Sequence, residues 1–189
     1  MNFCPIALQY EDEIAAFVEL IRGEMATSYL EIGAKFGGAL WRIAEALQEN
    51  SNIVAVDLPH GTVKWEESRV SLERVMRLLS IRGHATEIVW GNSANADVIS
   101  RVRAHGPFDV VLIDGNHTMP FLEQDWKNYG SLGRMVAFHD IAWKRPPEWN
   151  GYPRIEVPQF WARIKGDHKH HEIKLDPTGE DNGIGIIWR

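Results

Sequence analysis

The strongest constraint on this chain is a repeated order of elements: a short apolar run, a polar turn, then a stretch with helical periodicity. Tyr29–Ile32, Ile53–Val56, Glu87–Trp90, Asp109–Ile113 and Met135–Phe138 read as strands. Gly38–Gln48, Glu66–Ile81, Ala96–Val102 and Met119–Tyr129 read as the helices between and after them. Residues 9–22 form a further amphipathic helix ahead of the first strand, with Ile14, Phe17, Val18 and Ile21 at helical spacing. Strands alternating with helices imply parallel βαβ units and a doubly wound α/β sheet. The continuous apolar run Val110-Val111-Leu112-Ile113 suits a central strand covered on both faces.

The pattern changes after Asp140. Residues 143–159 carry Trp143, Pro146, Pro147, Trp149, Pro153 and Pro158, an irregular segment of the kind that forms a lid or an acceptor loop. Phe160–Lys165 reads as a short helix. Ile173–Leu175 and Ile184–Trp188 read as a terminal antiparallel hairpin. A chain of 189 residues is then a single domain, 1–189, with residues 1–27 as its N-terminal helical segment.

An open parallel sheet binds its ligands beyond the carboxyl ends of its strands, near the point where strand order reverses. The residues there are polar in every unit: Glu31 with Gly33, Asp57, Asn92 with Ser93, Asp114, and His139 with Asp140. The first loop, Glu31-Ile32-Gly33-Ala34-Lys35-Phe36-Gly37-Gly38, bears on the ligand class. A dinucleotide loop needs a second glycine where Lys35 stands, and a P-loop needs Lys and Ser/Thr where Ala39 and Leu40 follow. Neither phosphate cradle fits. A glycine-bearing turn lined by a carboxylate suits a ligand with an ammonium group and no phosphate. Asp57, ending the second strand, can accept hydrogen bonds from two ribose hydroxyls, which a nicotinamide dinucleotide would also offer.

These strings resemble the class I S-adenosylmethionine-dependent methyltransferases: Tyr29-Leu30-Glu31-Ile32-Gly33 with Gly37, then Asp57, then Val110 to His117. More narrowly, Ile113-Asp114-Gly115-Asn116-His117 followed by Val136-Ala137-Phe138-His139-Asp140 resembles the metal-dependent small-molecule O-methyltransferases of the cephalosporin-hydroxylase-like and macrolide sugar methyltransferase group. The resemblance spans residues 28–141. It implies a Rossmann-like sheet, mostly parallel, whose last strand is antiparallel. It implies that S-adenosylmethionine is bound by Glu31, Gly33, Ala34, Lys35, Gly37, Asp57, Leu58, Asn92, Ser93 and Asp114. It implies a catalytic set of His117, Asp114 and His139, with His117 as the proton acceptor, because imidazole titrates near neutrality. It also implies a divalent cation, Mg²⁺ or another, on Asp114, Asp140 and His139. The group's usual second acid beside the last aspartate is His139 here, a donor that favours a softer ion.

Composition narrows the partners. A net charge of −6 argues against nucleic acid, which needs clustered Lys and Arg. The cluster Arg163, Lys165, Lys169, His170 and His171 reads as a solvated face. No apolar run is long enough for a membrane span. Acidic residues Glu11, Asp12 and Glu13 stand where a signal peptide would be basic, and Cys4 is the single cysteine, so the expected setting is cytoplasmic. The expected partner is a small-molecule acceptor, with a homo-oligomer open. Trp143, Trp149 and Trp161 are candidates for an aromatic acceptor wall or for core packing. Two other functions share the fold: a nicotinamide-dependent oxidoreductase, and a cofactor-binding protein without catalysis.

Overall fold

The computed structural model describes residues 5–59, 65–145, 154–179 and 182–189. Cys4, Pro146, Pro147, Trp149 and Pro153 lie outside them. Among the described residues no helix is long and apolar enough to cross a membrane. The elements follow in the order α1 (Glu11–Gly23), β1 (Ser28–Ile32), α2 (Gly38–Ala44), β2 (Asn52–Asp57), α3 (Trp65–Ile81), β3 (Ala85–Trp90) and α4 (Ala96–His105). They continue with β4 (Phe108–Ile113), α5 (Met119–Tyr129), β5 (Gly133–His139), α6 (Val157–Ile164), β6 (Lys169–Ile173) and β7 (Ile184–Trp188).

The strands form one seven-stranded sheet in the order β3-β2-β1-β4-β5-β7-β6. The first five pair in parallel, and β7 joins antiparallel to both β5 and β6. This is the doubly wound, mostly parallel sheet with a terminal antiparallel hairpin that the alternation predicts. Successive side chains of each strand point to opposite faces. Tyr29, Ile53, Ala55, Val110, Leu112, Met135 and Ala137 pack under α1, α2 and α3. Leu30, Val54, Val56, Val111, Ile113, Val136 and Phe138 pack under α4, α5 and α6. Both faces are therefore apolar, which is why the central strands lack a polar alternation.

The structure corrects several element bounds. Residues 9 and 10 are not helical; α1 starts at Glu11, with Tyr10 in extended backbone as its N-cap. The second helix stops at Ala44, not Gln48, and α6 starts at Val157, ahead of Phe160. The hairpin's first strand lies at Lys169–Ile173 instead of Ile173–Leu175. Its residues Lys169, His170 and His171 are exposed on the sheet's edge, where a strand needs no apolar pattern. Trp161 belongs to the core: it is 2% exposed, and its indole N–H donates to Glu172 at 2.6 Å. Gly185 makes room for it, since a Cβ there would lie 2.7 Å from the indole ring.

One buried charge binds the two ends of the chain together. Glu13 is fully buried, and its carboxylate accepts the backbone N–H groups of Leu175 (2.8 Å), Asp176 (3.1 Å) and Gly183 (2.8 Å). The loop between β6 and β7 is thereby fixed to α1. Replacing Glu13 by alanine leaves these donors without their acceptor, so Glu13→Ala is expected to cost about 2–4 kcal/mol of unfolding free energy. Urea denaturation measures it; a loss under about 1 kcal/mol would show that water replaces the carboxylate freely.

Candidate active site

Strand order reverses between β1 and β4, so a crevice opens above their carboxyl ends. Gly33 turns there with φ +90°, and a Cβ on it would lie 2.2 Å from the Asp114 carbonyl oxygen. Only glycine permits this approach, which brings the first loop against Asp114. Asp57 holds the same loop from the other side. Its carboxylate accepts the backbone N–H of Lys35, and that of Leu58 at 2.6 Å. Lys35 itself sits at φ +46°. The loop is thus shaped by Gly33, Lys35, Gly37 and Asp57, with Ala34 buried beneath it. Leu58 is exposed beside it.

Glu31 has a partner within the protein. It is 1% exposed, and Tyr29, on the same strand face, donates its hydroxyl to Glu31 Oε2 at 2.7 Å. Burial raises the Glu31 pKa well above the carboxylate range, against the pull of the Tyr29 hydrogen bond. Its interior position is matched by the Tyr29 hydroxyl beside it. Asn92 caps its own turn, with Oδ1 accepting from Ala94 N at 2.9 Å. Ser93 is held through its carbonyl by the Tyr129 hydroxyl at 2.6 Å.

Beyond β4 and β5 two aspartates and two histidines meet. His117 Nε2 lies 3.1 Å from Asp114 Oδ1, and its Nδ1 lies 3.2 Å from Asp140 Oδ2. His139 Nδ1 lies 3.4 Å from Asp114 Oδ1 and 3.2 Å from Asp140 Oδ1. Asp140 takes φ +65°, a conformation uncommon outside glycine. Burial lowers the pKa of a histidine, yet the charges of Asp140 and Asp114 push His139 up to about 10. Burial opposes ionisation of Asp114 as well, but His139 and the His117 hydrogen bond hold it well below the carboxylate range. His117 is raised too: burial is outweighed by Asp114 and Asp140. Both of its nitrogens lie within hydrogen-bonding distance of a carboxylate.

Asp114, His117 and Asp140 each offer a ligand atom, all within 4.8 Å of one another. The expected metal set named His139 in place of His117. His139 is not in the grouped set; it lies at 6% exposure, with Nε2 lacking any hydrogen-bond partner among the described residues. Its Nδ1 nevertheless lies beside both carboxylates. The difference arises because side chains at i and i+3 of the turn after β4 fold back on each other, which adjacency in sequence does not reveal.

Two further residues support this constellation without a sequence signal of their own. Gln9 Nε2 donates to Asp114 Oδ2 at 2.8 Å. Glu156 donates its backbone N–H to the His117 carbonyl and accepts the Met119 N–H on its side chain, both at 2.8 Å. The far end of the 143–159 segment is thereby attached to the His117 loop. Its near end lines a cavity of about 260 Å³ with Ile141, Trp143, Lys144, Lys174 and Asp176 among its walls. Asp125 on α5 is buried, with its pKa raised to about 6 by burial.

A methyltransferase-domain family profile matches residues 30–141. No curated protein matches the chain by sequence. Among solved structures, the O-methyltransferase TomG of Streptomyces achromogenes, involved in tomaymycin synthesis and solved with S-adenosylmethionine, superposes with a TM-score of 0.69 at 19% identity. That match covers 96% of this chain and 81% of TomG. An O-methyltransferase of Bacillus cereus in complex with S-adenosylhomocysteine gives 0.68 at 16% identity, covering 98% and 84%.

The charged state of His139 has a pH signature in the metal-free protein. Its folded pKa of about 10 exceeds the ordinary 6.5, so its stabilising contribution is full below about pH 6.5 and is lost as pH rises toward 10. With a chelator present, the urea midpoint of the wild type is expected to fall between pH 6.5 and 10 by more than that of His139→Gln. Parallel curves would show that His139 is not charged.

Proposed function

This chain belongs to the methyltransferase-domain family and is an S-adenosylmethionine-dependent enzyme, and from that premise we propose that it methylates a hydroxyl of a small molecule with the help of a divalent cation. The observation that carries the proposal is the grouping of Asp114, His117 and Asp140 at the carboxyl end of the sheet. Two carboxylates and an imidazole suit a divalent ion of the Mg²⁺ or Mn²⁺ class, or a softer one. Both superposed proteins are O-methyltransferases, which favours oxygen as the atom methylated. Family membership sets aside the nicotinamide-dependent alternative.

S-adenosylmethionine supplies an electrophilic methyl group on a sulfonium. The chain's own residues position the rest. Gly33 to Gly37 give the cofactor's amino-acid end a backbone-lined turn, and Asp57 keeps acceptor capacity for the ribose after its two backbone contacts. Ser93, held by Tyr129, borders the adenine. Asp114, His117 and Asp140 would hold the cation, which would supply positive charge that eases loss of the acceptor's hydroxyl proton. His139 stays protonated behind them and balances their charge. The acceptor enters from the side of Trp143 and Lys144, with the loop at 154–156 as a boundary. Glu156 links that loop to His117, so acceptor binding and the reacting centre share one support. Orientation of the oxygen in line with the methyl carbon and sulfur supplies most of the rate.

Two measurements check this. His117→Ala is expected to lower methyl transfer about 100-fold or more, while S-adenosylhomocysteine affinity stays within about twofold by calorimetry. Unchanged turnover removes His117 from the chemistry, and turnover absent from the wild type on every hydroxyl acceptor tried favours a non-catalytic role. Mn²⁺ binding, followed by electron paramagnetic resonance, is expected in the wild type and lost in Asp140→Asn. Equal binding in both proteins removes the metal site.

A further inference from the structure

Gln9 lies outside the family-matched stretch, yet its side chain reaches the centre of the site. Residues 5–10 run ahead of α1 without regular structure and press on the start of α2. A Cβ on Gly38 would lie 2.1 Å from the Ile6 carbonyl oxygen and 2.4 Å from Ala7 Cα, so no other residue allows this passage. The segment is thereby seated beside the first loop. From there Gln9 Nε2 donates to Asp114 Oδ2, which leaves Oδ1 facing His117 and His139.

The amide orientation follows from the contact. The Gln9 amide nitrogen lies 2.8 Å from Asp114 Oδ2, and the NH₂ is the end of the amide that can donate to a carboxyl oxygen. The other end, Oε1, is buried and accepts no hydrogen bond among the described residues. A buried amide oxygen without a donor is costly, and such groups in native proteins mark a missing partner. We propose that the partner is the α-ammonium of S-adenosylmethionine, so that Gln9 and Asp114 bind the amino-acid end of the cofactor together. This rests on the reading that the Gly33–Gly37 turn holds that end. An ammonium carries three N–H donors, enough for Gln9 Oε1 and a neighbouring acceptor at once, and its charge is favoured beside the Asp114 carboxylate. An acceptor hydroxyl has one donor and no charge, and that proton is the one it must lose.

The test compares S-adenosylhomocysteine with its deamino analogue, which keeps the carboxylate and lacks the ammonium, on wild type and Gln9→Ala by calorimetric titration. Gln9→Ala is expected to weaken S-adenosylhomocysteine about tenfold, the loss of one hydrogen bond to a charged group. The deamino analogue should bind both proteins within about twofold of each other. Gln9→Met, which keeps the length and removes both polar ends, should repeat the pattern, with thermal unfolding confirming that each variant is folded. Equal loss on both ligands assigns Gln9 a structural role and overturns the proposal, as does no loss on either. A wild type that binds neither ligand overturns the underlying reading of the loop along with it.

Discussion

The site depends on placing two carboxylates side by side in an interior that does not tolerate bare charge. Asp114 and Asp140 are both largely buried, and neither would ionise there alone. The two imidazoles reverse the balance: His139 stays charged between them, and His117 spans from one to the other. Every other feature of the crevice is arranged around keeping this quartet in place. Gly33 brings the first loop onto the Asp114 backbone, Gln9 engages the oxygen that the histidines leave, and Glu156 holds the turn that carries His117. Were a divalent cation held by this set, it would compete with a proton for a His117 nitrogen.

Much of the frame was legible because its signals are local. An apolar run such as Val110 to Ile113 marks a buried parallel strand, and a polar residue at its end marks the crevice. Gly33 and Asp57 were legible for the same reason: a tight turn and a strand-ending carboxylate carry meaning within a few residues. The first hairpin strand was misplaced because an edge strand built from Lys169-His170-His171-Glu172 carries no apolar alternation. Its one buried residue, Ile173, lies at the end of the strand, and the expected strand was extended from it in the wrong direction.

The side chains that complete the site were illegible for a different reason. Gln9 acts across 105 residues and Glu156 across 37, distances at which residue type alone carries no information. The helix once expected from residue 9 would also have carried Gln9 away; only an extended Tyr10 frees it to reach Asp114. Glu31 was read as a cofactor contact because a carboxylate between Leu30 and Ile32 calls for an explanation. Tyr29, two residues back and on the same face, also gives it a partner within the core, a pairing that the sequence did not signal. His139 was expected among the metal ligands by adjacency to Asp140; the grouping joins His117 to the two carboxylates, and His139 Nδ1 lies beside both of them.

The anchoring of Glu13 has a consequence for how the molecule comes into being. Its three donors lie 162, 163 and 170 residues further along the chain. A chain still being synthesised therefore has no interior partner for that carboxylate, and α1 cannot sink its charged side against the sheet until the last hairpin has emerged. The apolar row Ile14, Phe17, Val18 and Ile21 has the α2 side of the core to pack on before then. What waits for the β6–β7 loop is the carboxylate alone, so closure of that loop on α1 is a late step of folding.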